Sequence, residues 1–225
     1  MTPQELLRLH PFFAGLSPGD VDKLAARASC RRIPGGRLLF HKNAPGDGLY
    51  GVLSGRIAFT MTSPEGKTLT LNTLGSGEFF GEIALLDGKG RSAAAVAREA
   101  SLLLFIPRDE FLTFVRARPD TMLHIISVVC GRLRRSTEYI ADAAFLELPQ
   151  RLAKQLVLLL DGERKSQDAE LRISHAELAS MLGVSRERVS RQLANWQAQR
   201  TLDQGRGRIV VRNVGALQRL ARGFE

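Results

Sequence analysis

Cysteine is scarce in this chain of 225 residues: only Cys30 and Cys130 occur, far apart. That argues against a disulfide framework, a CxxC redox pair and a four-cysteine metal or iron–sulfur site, and it suits a reducing compartment. Long apolar runs are missing as well. The longest, Leu102 to Ile106 and Leu156 to Leu160, fall far short of the roughly 20 residues that cross a bilayer. Met1-Thr2-Pro3-Gln4-Glu5 lacks a basic start leading into an apolar stretch, so the expectation is a cytoplasmic protein with no membrane partner. There is no nucleophile elbow, no HExxH pair and no Walker loop, which argues against an enzyme. His41 and His124 each stand without a second ligand at metal spacing, so no metal is expected. Cys130, between Val129 and Leu133 on an apolar helix, is expected to be a buried, inert thiol.

What the chain has in excess is positive charge. Lysine and arginine number 32 against 23 acids, a net charge of +9. From Leu148 to Glu225 there are 14 Lys and Arg against 8 Asp and Glu, so this third of the chain carries +6. A polyanion is the favoured partner, and the C-terminal part is where it should bind.

Three textures divide the chain. Near the N-terminus, Leu6, Leu7 and Leu9 mark one short helix, and Ser17-Pro18 with Asp20 opens a second. From Arg37 to Pro107, β-like runs (Arg37–His41, Leu49–Leu53, Arg56–Thr62, Thr68–Leu74, Ala93–Ala97, Ser101–Ile106) alternate with glycine-rich breaks. That spacing predicts an antiparallel roll or barrel. From Pro119 to Leu146 only Gly131 interrupts a helical stretch, along which Met122, Ile126, Val129, Leu133, Ser136, Ile140 and Ala143 keep a 4-3-4-3-4-3 spacing. This is the seam of a two-stranded coiled coil and predicts a homodimer. Ser136 interrupts the seam, and without a partner its buried hydroxyl would cost about 1 to 3 kcal/mol. Leu148-Pro149 ends the helix, Arg151 to Leu160 forms another, and Asp161 to Glu170 reads as a loop. The expected class is α+β: a sensor roll over 1–118, a dimerisation helix over 119–147 and a winged helix-turn-helix over 148–225.

The last assignment rests on local chemistry. Ser174-His175-Ala176-Glu177 has the S-x-x-E form of a capping box. The helix it opens turns Leu178, Ala179 and Leu182 inward, stops at Gly183-Val184 and gives way to a second helix capped by Ser185. On that second helix Val189, Leu193 and Trp196 fall within an arc of about 60°. Arg186, Glu187, Ser190 and Arg191 spread over the other side. Arginine can meet guanine O6 and N7 together, and a carboxylate can accept from the cytosine amino group, so G·C pairs are the expected targets in duplex DNA. Gly205-Arg206-Gly207-Arg208 before Ile209-Val210-Val211 reads as a β-hairpin wing, with Arg206 and Arg208 on phosphate.

A second constellation lies in the roll. In Gly77-Glu78-Phe79-Phe80-Gly81-Glu82-Ile83-Ala84, glycines permit close backbone approach and a short helix from Glu82 presents amides to an anion. Further along, Arg91 can neutralise a phosphate, Ser92 can donate to it, and Glu82 can accept from a ribose 2′-hydroxyl. Together these chemistries describe a ribonucleotide phosphate ester.

The stretch Phe80 to Ala93, with Gly-Glu-Ile-Ala-Leu-Leu-Asp-Gly and then Arg-Ser-Ala, resembles the phosphate-binding cassette of the CRP/FNR family, and within it of the cyclic-AMP receptor proteins. The resemblance extends over nearly the whole chain. It implies that Gly81, Glu82, Ile83, Ala84, Arg91 and Ser92 hold a cyclic nucleotide. It further implies that Arg132, Ser136 and Thr137, in Arg132-Leu133-Arg134-Arg135-Ser136-Thr137-Glu138, complete the site, with one hydroxyl reaching the purine from the partner subunit. Ile173 to Arg191 is similar to the family's DNA-reading element, which makes Ser185, Arg186, Glu187, Arg188, Ser190 and Arg191 the DNA-facing set. The implied effector is cyclic AMP, with cyclic GMP as an alternative, and the implied setting is the bacterial cytoplasm, with RNA polymerase as a partner if the protein activates. Departures are few: Gly90 precedes Arg91 where proline or an acid is usual, Arg188 replaces a small polar residue, and Asp161 to Gln167 does not match the polymerase-contacting surface. Two other readings stay open from sequence: a family member answering to another effector or none, and a nucleotide-binding module that controls a partner protein.

Overall fold

Thr2 accepts from the Glu5 amide at 3.2 Å while the Glu5 carboxylate accepts from the Thr2 amide at 2.7 Å. This reciprocal cap starts α1 (Pro3–Leu9). A 3-10 turn (Pro11–Phe13) and α2 (Pro18–Ala26), capped by Ser17 as expected, come next. Leu6 and Leu7 are buried, but Leu9 is 73% exposed, so the apolar face of α1 is narrower than its leucines suggested. The computed structural model describes residues 1–162 and 170–222; of the loop expected from Asp161 to Glu170, residues 163–169 lie outside the described residues, while Asp161 continues a helix and Glu170 begins a strand.

The described residues form two compact units, one from 1–67 with 71–134, the other from 68–70 with residues 135 onward. In the first, eight strands make two four-stranded sheets: β1 (Ser29–Ile33), β2 (Leu38–Phe40), β3 (Gly48–Ser54), β4 (Ile57–Thr62), β5 (Thr68–Leu74), β6 (Phe79–Phe80), β7 (Ala94–Ala97) and β8 (Ser101–Pro107). Their orders are β1-β8-β3-β6 and β2-β7-β4-β5. Six of the eight answer to the expected runs. The two extra strands lack a sequence signal: β6 is two residues long, and β1 is a polar edge strand carrying Arg31 and Arg32, the kind of charge that keeps an edge from pairing further.

Strands β3 and β8 are buried on both faces. Leu49, Leu53, Leu104 and Ile106 pack with Leu6, Phe12 and Phe13 of the N-terminal segment, while Tyr50, Val52, Leu103 and Phe105 fill the roll interior with Phe80. Short helix α3 (Glu82–Leu86) sits between β6 and β7, and α4 (Arg108–Arg116) comes after β8. Long α5 (Pro119–Phe145) then runs from the first unit into the second.

The second unit holds α6 (Leu148–Gly162), β9 (Glu170–Leu171), α7 (His175–Leu182), α8 (Arg186–Ala198), β10 (Leu202–Gly205), β11 (Arg208–Val211) and α9 (Val214–Ala221). Its sheet has the order β10-β11-β9. Leu152, Leu156, Leu178, Leu182, Val189, Leu193 and Trp196 share one core. Each such side chain contributes about 1.5 to 3 kcal/mol by leaving water.

Candidate functional site

A cleft opens in the first unit. Phe40, Phe59, Leu74 and Phe80 form an apolar wall, and Gly81 to Ala84, Arg91 to Ala93 and Arg132 form the polar part. An apolar wall with a few convergent polar groups is the usual make-up of a small-molecule site.

Arg91 is held in place by the protein's own atoms. Its backbone is pinned on both sides, the amide donating to Ala44 O at 2.9 Å and the carbonyl accepting from the Asn43 amide at 2.8 Å. The side chain is only 2% exposed. Nη1 donates to Gly81 O at 2.9 Å, and Nη2 donates to Gly48 O at 2.8 Å and to Asp47 Oδ1 at 2.6 Å. The guanidinium lies 4.5 Å from the centre of the Phe40 ring. Nε, also buried, has no hydrogen-bond partner. A buried donor without an acceptor is costly, and one on a cationic group lining a cleft marks where an anion fits.

Gly81 is what lets Arg91 come so close. Its φ is +90°, a left-handed conformation that side chains disfavour, and a Cβ there would stand 2.3 Å from Arg91 Nη1. The glycine expected from sequence to permit close approach therefore does so toward a protein side chain.

Asp47 went unrecognised in the sequence, where Pro45-Gly46-Asp47-Gly48 reads simply as a turn. Besides holding Arg91 it accepts from the Tyr50 hydroxyl at 2.9 Å and lies 3.7 Å from Arg31. Burial, and then the Asp47 charge, push the Tyr50 phenol up to about 12.

Glu82 is 2% exposed and accepts from Arg132 Nη1 at 2.7 Å. Arg132 Nη2 also donates to Phe79 O at 2.5 Å. The acid that would face a ribose is thus anchored from α5. His10 packs edge-on against Phe79 and accepts from the Phe12 amide through Nδ1 at 3.1 Å. Burial, and after it the Arg132 charge, lowers it to about 4.

Seven of the nine residues expected at a nucleotide line this cleft: Gly81, Glu82, Ile83, Ala84, Arg91, Ser92 and Arg132. Ser136 and Thr137 are exposed on the same α5 a turn beyond Arg132 and do not line it. Of the seam, Ile126, Leu133 and Ile140 are 47%, 66% and 68% exposed, whereas Met122 and Val129 pack partly against the first unit's core. Cys130 is exposed, not buried as its apolar neighbours suggested, because its helix face turns away from that core.

In the second unit the caps fall where the sequence placed them. Ser174 and Glu177 form the capping box, Gly183 adopts φ +65° at the end of α7, and Ser185 accepts from the Arg188 amide at 3.4 Å. Val189, Leu193 and Trp196 are buried, while Arg186, Glu187, Arg188 and Arg191 are exposed. Backbone and Ser185 hydrogen bonds hold the Glu187 carboxyl below the usual range, leaving it a committed acceptor. Ser190 is half-buried and its hydroxyl pairs with His175 Nδ1 at 2.8 Å, tying α8 to α7. Arg206 caps the β10–β11 hairpin, and Gln204 on that hairpin donates to Gln197 of α8 at 2.9 Å. A cationic, rigid face of this kind can position phosphates and present side chains to base edges.

A family model for the cyclic nucleotide-binding domain matches residues 30–118, and one for a Crp-like helix-turn-helix domain matches residues 150–220. The chain is 35% identical over 214 residues to the cyclic AMP receptor protein of Thermus thermophilus, covering 95% of this chain and 98% of that one. It is 29% identical over 196 residues to a CRP-like cAMP-activated global transcriptional regulator of Mycobacterium tuberculosis, covering 85% and 88%. Among solved structures it is similar to the Thermus thermophilus catabolite activator protein, with a TM-score of 0.54, 35% identity and coverage of 94% and 98%. It is also similar to the c-di-GMP responsive global regulator CLP of Xanthomonas campestris, with a TM-score of 0.77, 26% identity and coverage of 87% and 99%.

Proposed function

This chain belongs to the CRP/FNR family of DNA-binding transcription regulators that carry a cyclic nucleotide-binding domain, and we propose that it is a cyclic-AMP-responsive member, acting as a homodimer on near-palindromic operators in the bacterial cytoplasm. The observation that carries the effector assignment is the buried Arg91 with its unpartnered Nε–H, in a cleft shared with the buried Glu82 carboxylate. A cyclic ribonucleotide supplies the acceptor that Nε–H lacks and a 2′-hydroxyl from which Glu82 can accept.

In this reading Arg91 Nε and the Ser92 hydroxyl donate to the phosphate, Glu82 accepts from the 2′-hydroxyl, and the purine lies on the Phe40, Phe59 and Leu74 wall. Ser136 and Thr137 meet the base across the dimer. The ligand thereby contacts both a roll and the α5 pair, and it shifts the equilibrium toward the DNA-competent pose by as much as it prefers that pose. The exposed Ile126, Leu133 and Ile140 support pairing of α5 with a second copy. On DNA, Ser185, Arg186, Glu187, Arg188, Ser190 and Arg191 face the major groove, Arg186, Glu187 and Arg191 read bases, and Arg206 and Arg208 meet phosphate. RNA polymerase is the further partner we assign to an activating role.

DNA selection from a random pool, with and without cyclic AMP, tests ligand, half-site and gating together. Enrichment of a near-palindrome with half-sites about one helical turn apart is expected only with nucleotide present. A cyclic dinucleotide is the second reading, because one structural neighbour is described as c-di-GMP responsive. Calorimetry with cyclic AMP, cyclic GMP and c-di-GMP separates these, and three flat titrations would leave a regulator answering to another effector or to none.

A further inference from the structure

A helix leaves its last carbonyls without intrahelical donors. At the end of α7 the Ala179 carbonyl is taken by the amides of Gly183 and Val184. Those of Met181 and Leu182 lie beyond the helix's own reach and are met from two other helices. The Tyr139 hydroxyl, on α5, donates to Met181 O at 3.2 Å, and Arg151 Nη2, on α6, donates to Leu182 O at 2.6 Å. Gln155 Nε2 touches Met181 Sδ at 3.7 Å. The guanidinium also stands at the negative end of the α7 dipole, which strengthens its hold. Asp142 of α5 pairs with Lys154 of α6 at 2.6 Å, so the two donor helices are joined to each other as well as to α7.

The end of α7 matters because α8 begins almost at once. Gly183 and Val184 alone separate Leu182 from Ser185, the cap of α8, so a displacement of that end passes directly to Arg186 and Glu187 in the first turn of α8. Tyr139 stands two residues after Thr137. We propose that Tyr139 and Arg151 are positioning residues for DNA reading: by holding the last two carbonyls of α7 they fix where α8 begins, and through Tyr139 they tie that start to α5. This rests on the DNA-reading function proposed above and adds to it the residues that set the pose of the reading helix.

The test uses the full chain with cyclic AMP present and the duplex enriched by selection. Affinity is measured for that duplex and for a scrambled one, in the wild type and in Tyr139→Phe, alongside nucleotide affinity by calorimetry. Loss of one hydrogen bond that acts on pose lowers the selected-to-scrambled ratio about three- to tenfold, with nucleotide affinity unchanged. A purely structural role reduces the folded fraction and scales both duplex affinities alike, leaving the ratio where it was, and that result overturns the proposal. Should Tyr139→Phe melt below the assay temperature, Arg151→Gln carries the same test with the same expected drop. If the wild type enriches no duplex at all, the regulator reading itself fails and this role falls with it; if it does and both variants match its ratio, only the positioning role fails.

Discussion

The Arg91 guanidinium and the Asp47 carboxylate meet at 2.6 Å across a separation of 44 residues. Asp47 is half-exposed while Arg91 is almost fully buried, so the carboxylate serves as the solvent-side counter-charge of a buried cation. A phosphate would be a second such counter-charge.

Asp47→Asn should therefore separate stability from ligand response. Without nucleotide the buried guanidinium loses its only acidic partner among the described residues. With the pair discounted for the exposure of Asp47 to about 1 kcal/mol, the melting point should fall by about 2 to 4 °C. A bound phosphate restores the missing charge, so the stabilisation produced by saturating cyclic AMP should be larger in the variant than in the wild type. Thermal melts with and without ligand decide this; equal ligand-induced shifts would show that Asp47 and phosphate do not share Arg91.

Glu82 offers a test of the ribose contact. Wild-type protein is expected to bind cyclic AMP more tightly than its 2′-deoxy analogue, because the analogue lacks one hydrogen bond to a charged carboxylate that Arg132 alone among the described residues then holds, a loss of about 1 to 3 kcal/mol. Glu82→Gln, which keeps shape but not charge, should narrow that gap by weakening the natural ligand and leaving the analogue little changed. Calorimetry on the four combinations measures the coupling directly, and an unchanged gap would remove Glu82 from the ribose.

What could be read from the sequence tracks how local the responsible physics is. Ser174, Gly183 and Ser185 delimit α7 and α8 by capping, a matter of three or four neighbouring residues, and Val189, Leu193 and Trp196 are buried where helical spacing places them. The capacity of Glu82, Arg91 and Ser92 for a phosphate ester could be argued from residue chemistry. That Arg132 belongs beside Glu82 came from family resemblance, since the two are 50 residues apart. The role of Asp47 was invisible because a Pro-Gly-Asp-Gly turn looks the same whether or not a distant arginine lands on it. Strand β1 was missed because an edge strand protected by arginines lacks the alternation that marks a half-buried one, and the exposure of Leu9 and Cys130 depends on which way each helix face turns in the packed unit.

His10 gives the first unit a pH dependence with a definite sign. Burial keeps it neutral down to about 4 in the folded protein, whereas in the unfolded chain it takes up a proton below about 6.5. Glu78 Oε2, 4.0 Å from Nε2, does not offset that burial and the Arg132 charge. Between those two values the unfolded state binds one more proton, so this contribution is fully present above about pH 6.5 and is lost at about 1.4 kcal/mol per unit as pH falls toward 4. His10→Asn retains an acceptor for the Phe12 amide but does not titrate. Denaturant melts at several pH values should therefore show a shallower slope for the variant across this window; parallel slopes would place the titrating group elsewhere.

Arginines on the reading helix and on the wing should fail in different ways. Arg206 is exposed at the hairpin tip, and as a phosphate contact it contributes equally to every duplex. Arg206→Gln should therefore reduce the slope of log affinity against log salt by about 0.9 while leaving the preferred sequence intact. Arg191, exposed on α8, is assigned to a base. Arg191→Ala should cost about 1 to 3 kcal/mol on the selected duplex, much less on a scrambled one, and should relax the preference at one position of each half-site. Binding isotherms on both duplexes across a series of salt concentrations distinguish the two modes. If Arg191→Ala weakened selected and scrambled DNA equally, that side chain would be a backbone contact, and base reading would have to rest on Arg186 and Glu187.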